Sequence, residues 1–369
     1  MLSPKILIPI SIFMGSCFLH YPIPFAKSGI SESHVESLSN NGLNIETDTI
    51  IGLSKTYRIA IGYPSASAGI IINNNWWILG DDAQNLLCVT SQRTDSPYLY
   101  YPLPFIRKTK DLTEEPQYRR IKKASKMDFE ALAHFANTFN SETSYHIWAF
   151  GSGSKSPQRD TGLYWNFENS IPNPNKQPDK INLSPLYEFL QRQANINAED
   201  WNIEGACIDP RNEGILYLLN RKPAVLISLS LRDWFRYLEI GSLPLGQIEI
   251  SPFTLPVIDG YESGFSGATM DTARNSIWFS SSVEVTDNSI NDGTILGSFI
   301  GEISLSTKAL YGRPFLIPEE PFSKQKTKLE SISLQASDKS KARIFRGTVD
   351  NDNGGSQLLI IEAQLRTKN

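Results

Sequence analysis

"GFSGATMDTARNSIWFSSSVE", Gly264 to Glu284, places a serine among glycines, then a turn signal at Asp271 to Asn275, then an apolar strand that stops at polar residues. A similar phrase returns in "WNIEGACIDPRNEGILYLLNRK" (Trp201 to Lys222) and in "MDFEALAHF" with "YHIWAFGSGSK" (Met127 to Phe135, Tyr145 to Lys155). It returns again in "KLESISL" with "ARIFRGTVDND" (Lys328 to Leu334, Ala342 to Asp352). Each unit opens on an apolar residue, then Ser or Glu, then a small residue. The five copies are Ala66-Ser67-Ala68, Phe129-Glu130-Ala131, Ile203-Glu204-Gly205, Phe265-Ser266-Gly267 and Leu329-Glu330-Ser331. Their spacing of roughly 65 residues, in a chain of short apolar runs cut by Gly, Pro, Asn and Asp, is the signature of blades or a solenoid.

The predicted fold is an all-β, five-bladed β-propeller with four antiparallel strands per blade; a count of six blades is the alternative. Second strands read as "WWILG", "YHIWAFG", "ILYLLN", "SIWFSS" and "ARIFRG". Third strands read as "LLCVT", "GLYWNF", "AVLISL", "GSFIGEISL" and "SQLLIIEAQL". Fourth strands are visible in "YLYYPLPF", "DKINL", "GQIEISPF" and "ALYGRPFLI", and the last unit runs out of chain before making one. "KTYRIAIG", ahead of the first motif, is the expected donor, which joins the two termini in one sheet and leaves only short outer edges. "LSPLYEFLQRQA" reads as a helix between strands, with Ser184 as N-cap and Pro185 at the first helical position.

In such a ring the innermost strands run along the axis, so equivalent residues converge on one level. Ser67, Glu130, Glu204, Ser266 and Glu330 would then place three carboxylates and two hydroxyls around a narrow tunnel. Three carboxylates in a partly desolvated channel repel, and a divalent cation removes the conflict. An oxygen-only donor set without His or Cys selects a hard ion, and irregular geometry favours Ca2+ over magnesium. The competing reading is architectural, each Glu or Ser bonding main-chain groups at a blade junction. Residues after the second strands share the rim with these five: Asp81 and Asp82, Arg159 and Asp160, Asn220 to Lys222, Ser281 to Glu284, Asp350 to Asp352. An aspartate pair beside a metal suits catalysis, and Arg159 or Arg221 suits phosphate oxygens; a polar hairpin turn accounts for any one of them equally.

These phrases, with "WWILGDDAQNLLCV", resemble the calcium-activated nucleotidases, or apyrases, at all five motif positions and in the same order of residue types. The resemblance spans roughly Ser65 to Glu362. It implies a five-bladed propeller with one axial calcium held by Ser67, Glu130, Glu204, Ser266 and Glu330. It also implies that charged residues on the same face hydrolyse phosphoanhydrides or phosphoesters of nucleotides. Two departures stand out: Ala83 follows the aspartate pair where the family has a basic residue, and Ser154-Lys155-Ser156 replaces a Trp-containing stretch. The chain also resembles an uncharacterised group of exported bacterial propeller proteins. On these grounds Asp81 and Asp82 are the catalytic candidates, Arg159 and Arg221 the substrate-binding ones, and a phosphorylated small molecule the expected ligand. A non-catalytic propeller with a structural calcium, recognising a sugar or a cell-envelope partner, is the alternative.

The composition is that of a globular protein: 369 residues, 40% hydrophobic, 20% charged, net charge −4, which argues against nucleic-acid binding. Lys5 precedes the apolar run "ILIPISIFMGSCFL", too short to span a bilayer comfortably but suited to a signal-peptide core. Met14-Gly15-Ser16-Cys17 resembles a bacterial lipobox with Cys17 as the lipidated residue. Residues 1–26 are therefore expected to be a signal, 27–54 a polar tether and 55–366 the propeller, exported to the periplasm or cell surface with membrane contact only through a lipid anchor. Cys88 and Cys207 lie in apolar strand patterns and are expected to be buried free thiols. "FIRKTKDLTEEPQYRRIKKASK", Phe105 to Lys126, reads as a solvated basic loop that attracts anions if it overhangs the rim. "DNDNGGSQLLIIE", from Asp350, fits a hairpin turn better than a calcium loop, and neither His134 nor His146 has a partner at ligand spacing.

Overall fold

Four second strands carry an apolar stretch buried on both faces: Trp76 to Leu79, Ile147 to Phe150, Leu216 to Leu219 and Ile277 to Phe279. Side chains alternate across a strand, and here the alternation sorts them to two different neighbours. Trp77 and Leu79 pack toward blade 2, while Trp76 and Ile78 pack toward blade 5. Ile147 and Ala149 face blade 1, and Trp148 and Phe150 face blade 3. Leu216 and Leu218 meet blade 2, Tyr217 and Leu219 meet blade 4. Ile277 and Phe279 then meet blade 3, and Trp278 meets blade 5. The core is thus five clusters, one at each junction between blades, and the fifth closes the ring.

The structure, a computed structural model, describes residues 50–61, 63–90, 98–103, 120–139, 142–168, 176–241, 246–285, 293–319, 326–335, 342–350 and 355–365. The signal, Cys17 and the tether up to residue 49 lie outside them.

Blade 1 pairs Ala66–Ile72, Asn75–Gly80, Asn85–Val89 and Tyr98–Pro102 in sequence order. Blade 2 pairs Phe129–Phe139, Glu142–Gly151, Thr161–Phe167 and Asp179–Asn182. Blade 3 pairs Ile203–Asp209, Ile215–Asn220, Val225–Ser230 and Glu249–Pro252. Blade 4 pairs Gly264–Asp271, Ser276–Val285 and Thr294–Ser304, and its outer edge is shared by Ala309–Leu310 and Phe315–Leu316. Blade 5 pairs Ser333–Gln335, Ala342–Asp350 and Ser356–Leu365. Its fourth strand is Ile50–Ile61, antiparallel to the C-terminal strand with Ile61 opposite Ser356. The expected closure of the ring by the N-terminal strand is therefore observed. That strand begins at Ile50, inside the stretch read as tether, because Ile50 already lies opposite Leu365.

Among the described residues two helices fill corners between strands. α1 (Ser184–Ala194) follows the last strand of blade 2 and buries Leu186, Tyr187 and Leu190. Its cap differs from the expectation: Leu183 is the N-cap without a side-chain bond, and the Ser184 hydroxyl donates to Asp160 instead, at 2.8 Å. α2 (Leu231–Ile240) was not read from the sequence, although Ser230 caps the Asp233 N–H at 3.0 Å and Gly241, at φ 68°, ends it. Cys88 and Cys207 are buried and free. The strands flanking the Asp350 segment are antiparallel, with Asp350 opposite Ser356, as a hairpin requires.

Candidate functional site

The motif residue of every repeat sits where its inner strand carries one residue too many. Ala66 pairs with Gly80 and Ala68 with Leu79, leaving Ser67 as the extra residue of a β-bulge. Glu130, Glu204 and Ser266 are skipped in the same way, between Phe129 and Ala131, Ile203 and Gly205, and Phe265 and Gly267. In blade 5 the inner segment advances four residues, from Leu329 to Ser333, while its partner moves three, from Val349 to Arg346. A bulge breaks the ladder and re-aims a side chain. The apolar residue before it and the small residue after it fit the same geometry.

Four of the five bulge residues, Ser67, Glu130, Glu204 and Glu330, line one chamber of about 290 Å3, together with Asp81, Asp82, Arg159 and Arg221. Every catalytic and substrate-binding candidate from the sequence is therefore brought to one place. Ser266 is not among the lining residues; it is 2% exposed and its hydroxyl donates to the Leu329 carbonyl at 2.6 Å. Ser67 does the equivalent, donating to the Phe129 carbonyl at 2.6 Å. Both serines thus tie one blade to the residue preceding the next blade's bulge, which is the architectural reading, and giving up the proton leaves the oxygen lone pairs for other partners.

The chamber contains its own cations. Lys126 Nζ lies 2.7 Å from Asp128 Oδ1 and pairs as closely with Asp81. Arg159, 5% exposed, donates to Asp128 at 2.6 Å and to Ser154 Oγ at 2.7 Å. Arg221 bridges Glu204, at 3.0 Å, and Glu284. Lys328 Nζ is 3.0 Å from Glu330. Both arginines expected to be free for phosphate are therefore engaged with carboxylates. The described end of the basic loop, with Arg120, Lys122 and Lys123, lines the chamber mouth, as an overhanging loop would.

Charge and burial then divide the carboxyls. Burial alone would raise Asp128, but Lys126 and Arg159 outweigh it and hold the group below its ordinary range. Burial, reinforced by Asp81, pushes Asp82 up to about 7. Burial also pushes Glu330 up to about 8 against the opposing pull of Lys328. Glu130 is raised well above the usual range by burial and by Glu204, Asp128 and Asp81, and its carboxyl makes no hydrogen bond or ion pair among the described residues. One oxygen of it comes within 4.8 Å of oxygens from both Asp81 and Asp128.

The residues fit a hard cation. Asp81 Oδ1, Asp82 Oδ1 and Asn202 Oδ1 are buried without a hydrogen-bond partner, although Asn202 gives its amide hydrogen to Glu204 at 2.8 Å. Buried acceptors left over in this way line the same chamber as the Glu130 carboxyl, and oxygen donors of this kind suit a hard ion.

Sequence reasoning missed Lys126, Asp128, Asn202 and Lys328. A signal was there: Ser65, Asp128, Asn202 and Lys328 each stand two places before a bulge residue, and all four line the chamber. Ser65, at φ 44°, and Asp128, at φ 59°, hold left-handed backbone there, a conformation that costs energy outside glycine and clusters at functional sites.

A protein family described as "Family of unknown function (DUF6929)" matches residues 62–363. No curated protein matches the chain. Among solved structures, a mutant of the GH43 protein BlXynB from Bacillus licheniformis is similar at 11% identity and TM-score 0.41, covering 83% of this chain and 54% of that one. This chain therefore spans about half the length of that protein. The N-terminal domain of Nup159 is similar at 6% identity and TM-score 0.28, covering 81% of this chain and 76% of that one.

Proposed function

The chain belongs to the DUF6929 family of unknown function, and from its own chamber we propose that it binds a divalent cation, calcium by its donor set, and hydrolyses a phosphorylated small molecule there. The observation that carries this reading is the convergence of four bulge residues on a chamber that also holds Asp81, Asp82 and the basic loop end. Glu130, Glu204 and Glu330, with Ser67, would hold the ion, and Asn202 Oδ1 adds a further oxygen. Bound calcium would supply positive charge that neutralises these carboxylates and attracts phosphate oxygens.

The chain's own residues supply the rest. Asp82, near 7, is poised to accept a proton from water at neutral pH. Lys126 and Arg159 keep Asp128 ionised and fix the wall beside it. Arg120, Lys122 and Lys123 at the mouth favour an anionic ligand over a neutral one. Arg159 and Arg221 act as positioning residues.

Phosphate release from a panel of nucleotides and other phosphoesters should appear with calcium and vanish with chelator. The rate should rise with pH as Asp82 loses its proton, with a midpoint below about 7 because bound calcium favours the ionised carboxylate. Asp82→Asn should lower the rate about a hundredfold and flatten that limb. One observation favours a second reading, a binding propeller for a sugar or cell-envelope partner: internal cations already neutralise Asp81, Asp128, Glu204 and Glu330. A folded, calcium-loaded protein inert across the panel would select it.

Export and lipid anchoring complete the proposal and rest on the apolar run that ends at Cys17. Cys17→Ser should move the protein from the membrane fraction to a soluble or unprocessed form. A wild type recovered wholly soluble, with its N-terminus beyond Cys17, would refute the anchor.

A further inference from the structure

The inner strands have a second end. Beyond the bulges, toward the hairpins that follow, the same five strands line another cavity of about 540 Å3. Its walls come from all five blades, including Ile70, Leu132, Ile208, Met270 and Leu334. No Asp, Glu, Lys or Arg lines it, in a chain where one residue in five is charged. Asn73, Asn74, Thr269, Thr272 and Ser333 add neutral polar groups to the lining, and its titratable residues are Cys207 and His134. Burial keeps the Cys207 thiol neutral and pushes the His134 imidazole down to about 4, so His134 is uncharged at physiological pH. A neutral imidazole offers one donor and one acceptor, and neither has a partner among the described residues. A concave, largely apolar site with a small number of convergent polar groups is the usual form of a small-molecule pocket.

We propose that this cavity is a second binding site, for an uncharged, largely apolar small molecule carrying one polar group that hydrogen-bonds His134. The charge argument decides the class. An ion brought here would lose its hydration with no counter-charge to replace it, whereas an apolar ring gains from every Å2 it buries. The two ends of the propeller therefore sort ligands by charge: anionic ones to the chamber, neutral ones here. The site stands independently of the calcium and hydrolase reading.

The test uses two dyes that share one ring system. N-phenyl-1-naphthylamine is neutral and carries an N–H; 8-anilinonaphthalene-1-sulfonate adds a negative charge to the same body. Titrated into the folded, monomeric protein, the neutral dye should bind saturably with a stoichiometry of one and at least tenfold more tightly than the sulfonate. Ala136 and Thr272 are exposed residues of the lining, so Ala136→Trp and Thr272→Trp plug the mouth without touching the core. Each should weaken the neutral dye at least tenfold, and His134→Phe should weaken it while leaving the cavity apolar. Asp82→Asn, in the other chamber, should leave binding of the neutral dye unchanged. Equal binding of both dyes, binding that survives both tryptophans, or a stable dimer that excludes the dye would overturn the proposal.

Discussion

Arg221→Met is expected to destabilise the fold by about 3–5 kcal/mol, the usual cost of removing one partner from a buried ion pair. The arginine bridges Glu204 and Glu284, which are 4% and 3% exposed, so its loss strands two carboxylates rather than one. Glu284 retains the Gly293 N–H at 2.8 Å and Glu204 retains the Asn202 amide. Neither replaces a charge. The stranded carboxyls escape the penalty by taking up protons, so the loss should be smaller at pH 5 than at pH 8. Adding Glu204→Gln should restore part of it, because that removes one of the stranded charges. Urea melts of the three proteins at both pH values supply the comparison. A single mutant within 1 kcal/mol of wild type at pH 8 would mean that the bridge is not made in solution. On sequence alone Arg221 reads as a phosphate ligand whose loss would lower turnover and spare the fold; its position between two acidic side chains reverses that expectation.

Calcium is expected to raise stability by about 2.7 kcal/mol when its free concentration is a hundredfold above the dissociation constant, since the unfolded chain cannot assemble the site. Glu130→Gln should remove most of this rise. It should leave the calcium-free protein nearly as stable as wild type, because Glu130 gives up no hydrogen bond or ion pair among the described residues and is already disposed to be protonated. Ser266→Ala makes the contrast. Its hydroxyl holds the Leu329 carbonyl, so its loss should lower stability with and without calcium. The pH dependence has a definite sign. Glu330 is raised from 4.5 to about 8, so across that interval the native state holds more protons than the unfolded chain and calcium-free stability falls as pH rises. Calcium must displace those protons, so its affinity should rise over the same interval. Thermal melts of wild type and the two variants, with calcium and with chelator, provide the readings. A wild-type melting temperature indifferent to calcium would leave the bulges as blade architecture.

Much of the fold was legible because propeller blades are local. Among the described strands of the blades each pairs with a neighbour in sequence except Phe315–Leu316, which returns past Ala309–Leu310 to Thr294–Ser304, and Ile50–Ile61, whose closure of the ring could be inferred from a last unit that lacked its fourth strand. The five bulge residues were legible because repetition exposes them, although nothing in the repeat says that they are bulges. α2 was hidden because it follows directly on the apolar strand "AVLISL" with no break in between; at ten residues it is only one shorter than α1.

The amino-acid sequence by itself favoured five blades over six and determined the order of most strands and the identity of the five motif positions, since each follows from patterns within about 65 residues. Only the tertiary structure decided which charges meet. Lys126 reaches Asp81 across 45 positions, and Arg221 reaches Glu284 across 63. Those pairings turn Arg221 into scaffold and tie Asp81 to a lysine, and they leave Glu130 without a hydrogen bond or ion pair among the described residues. The physical reason is the difference in range between the two kinds of order. Strand pairing and side-chain alternation are set by near neighbours. Electrostatic balance in a buried chamber depends on every charge within a few ångströms, whatever its distance along the chain.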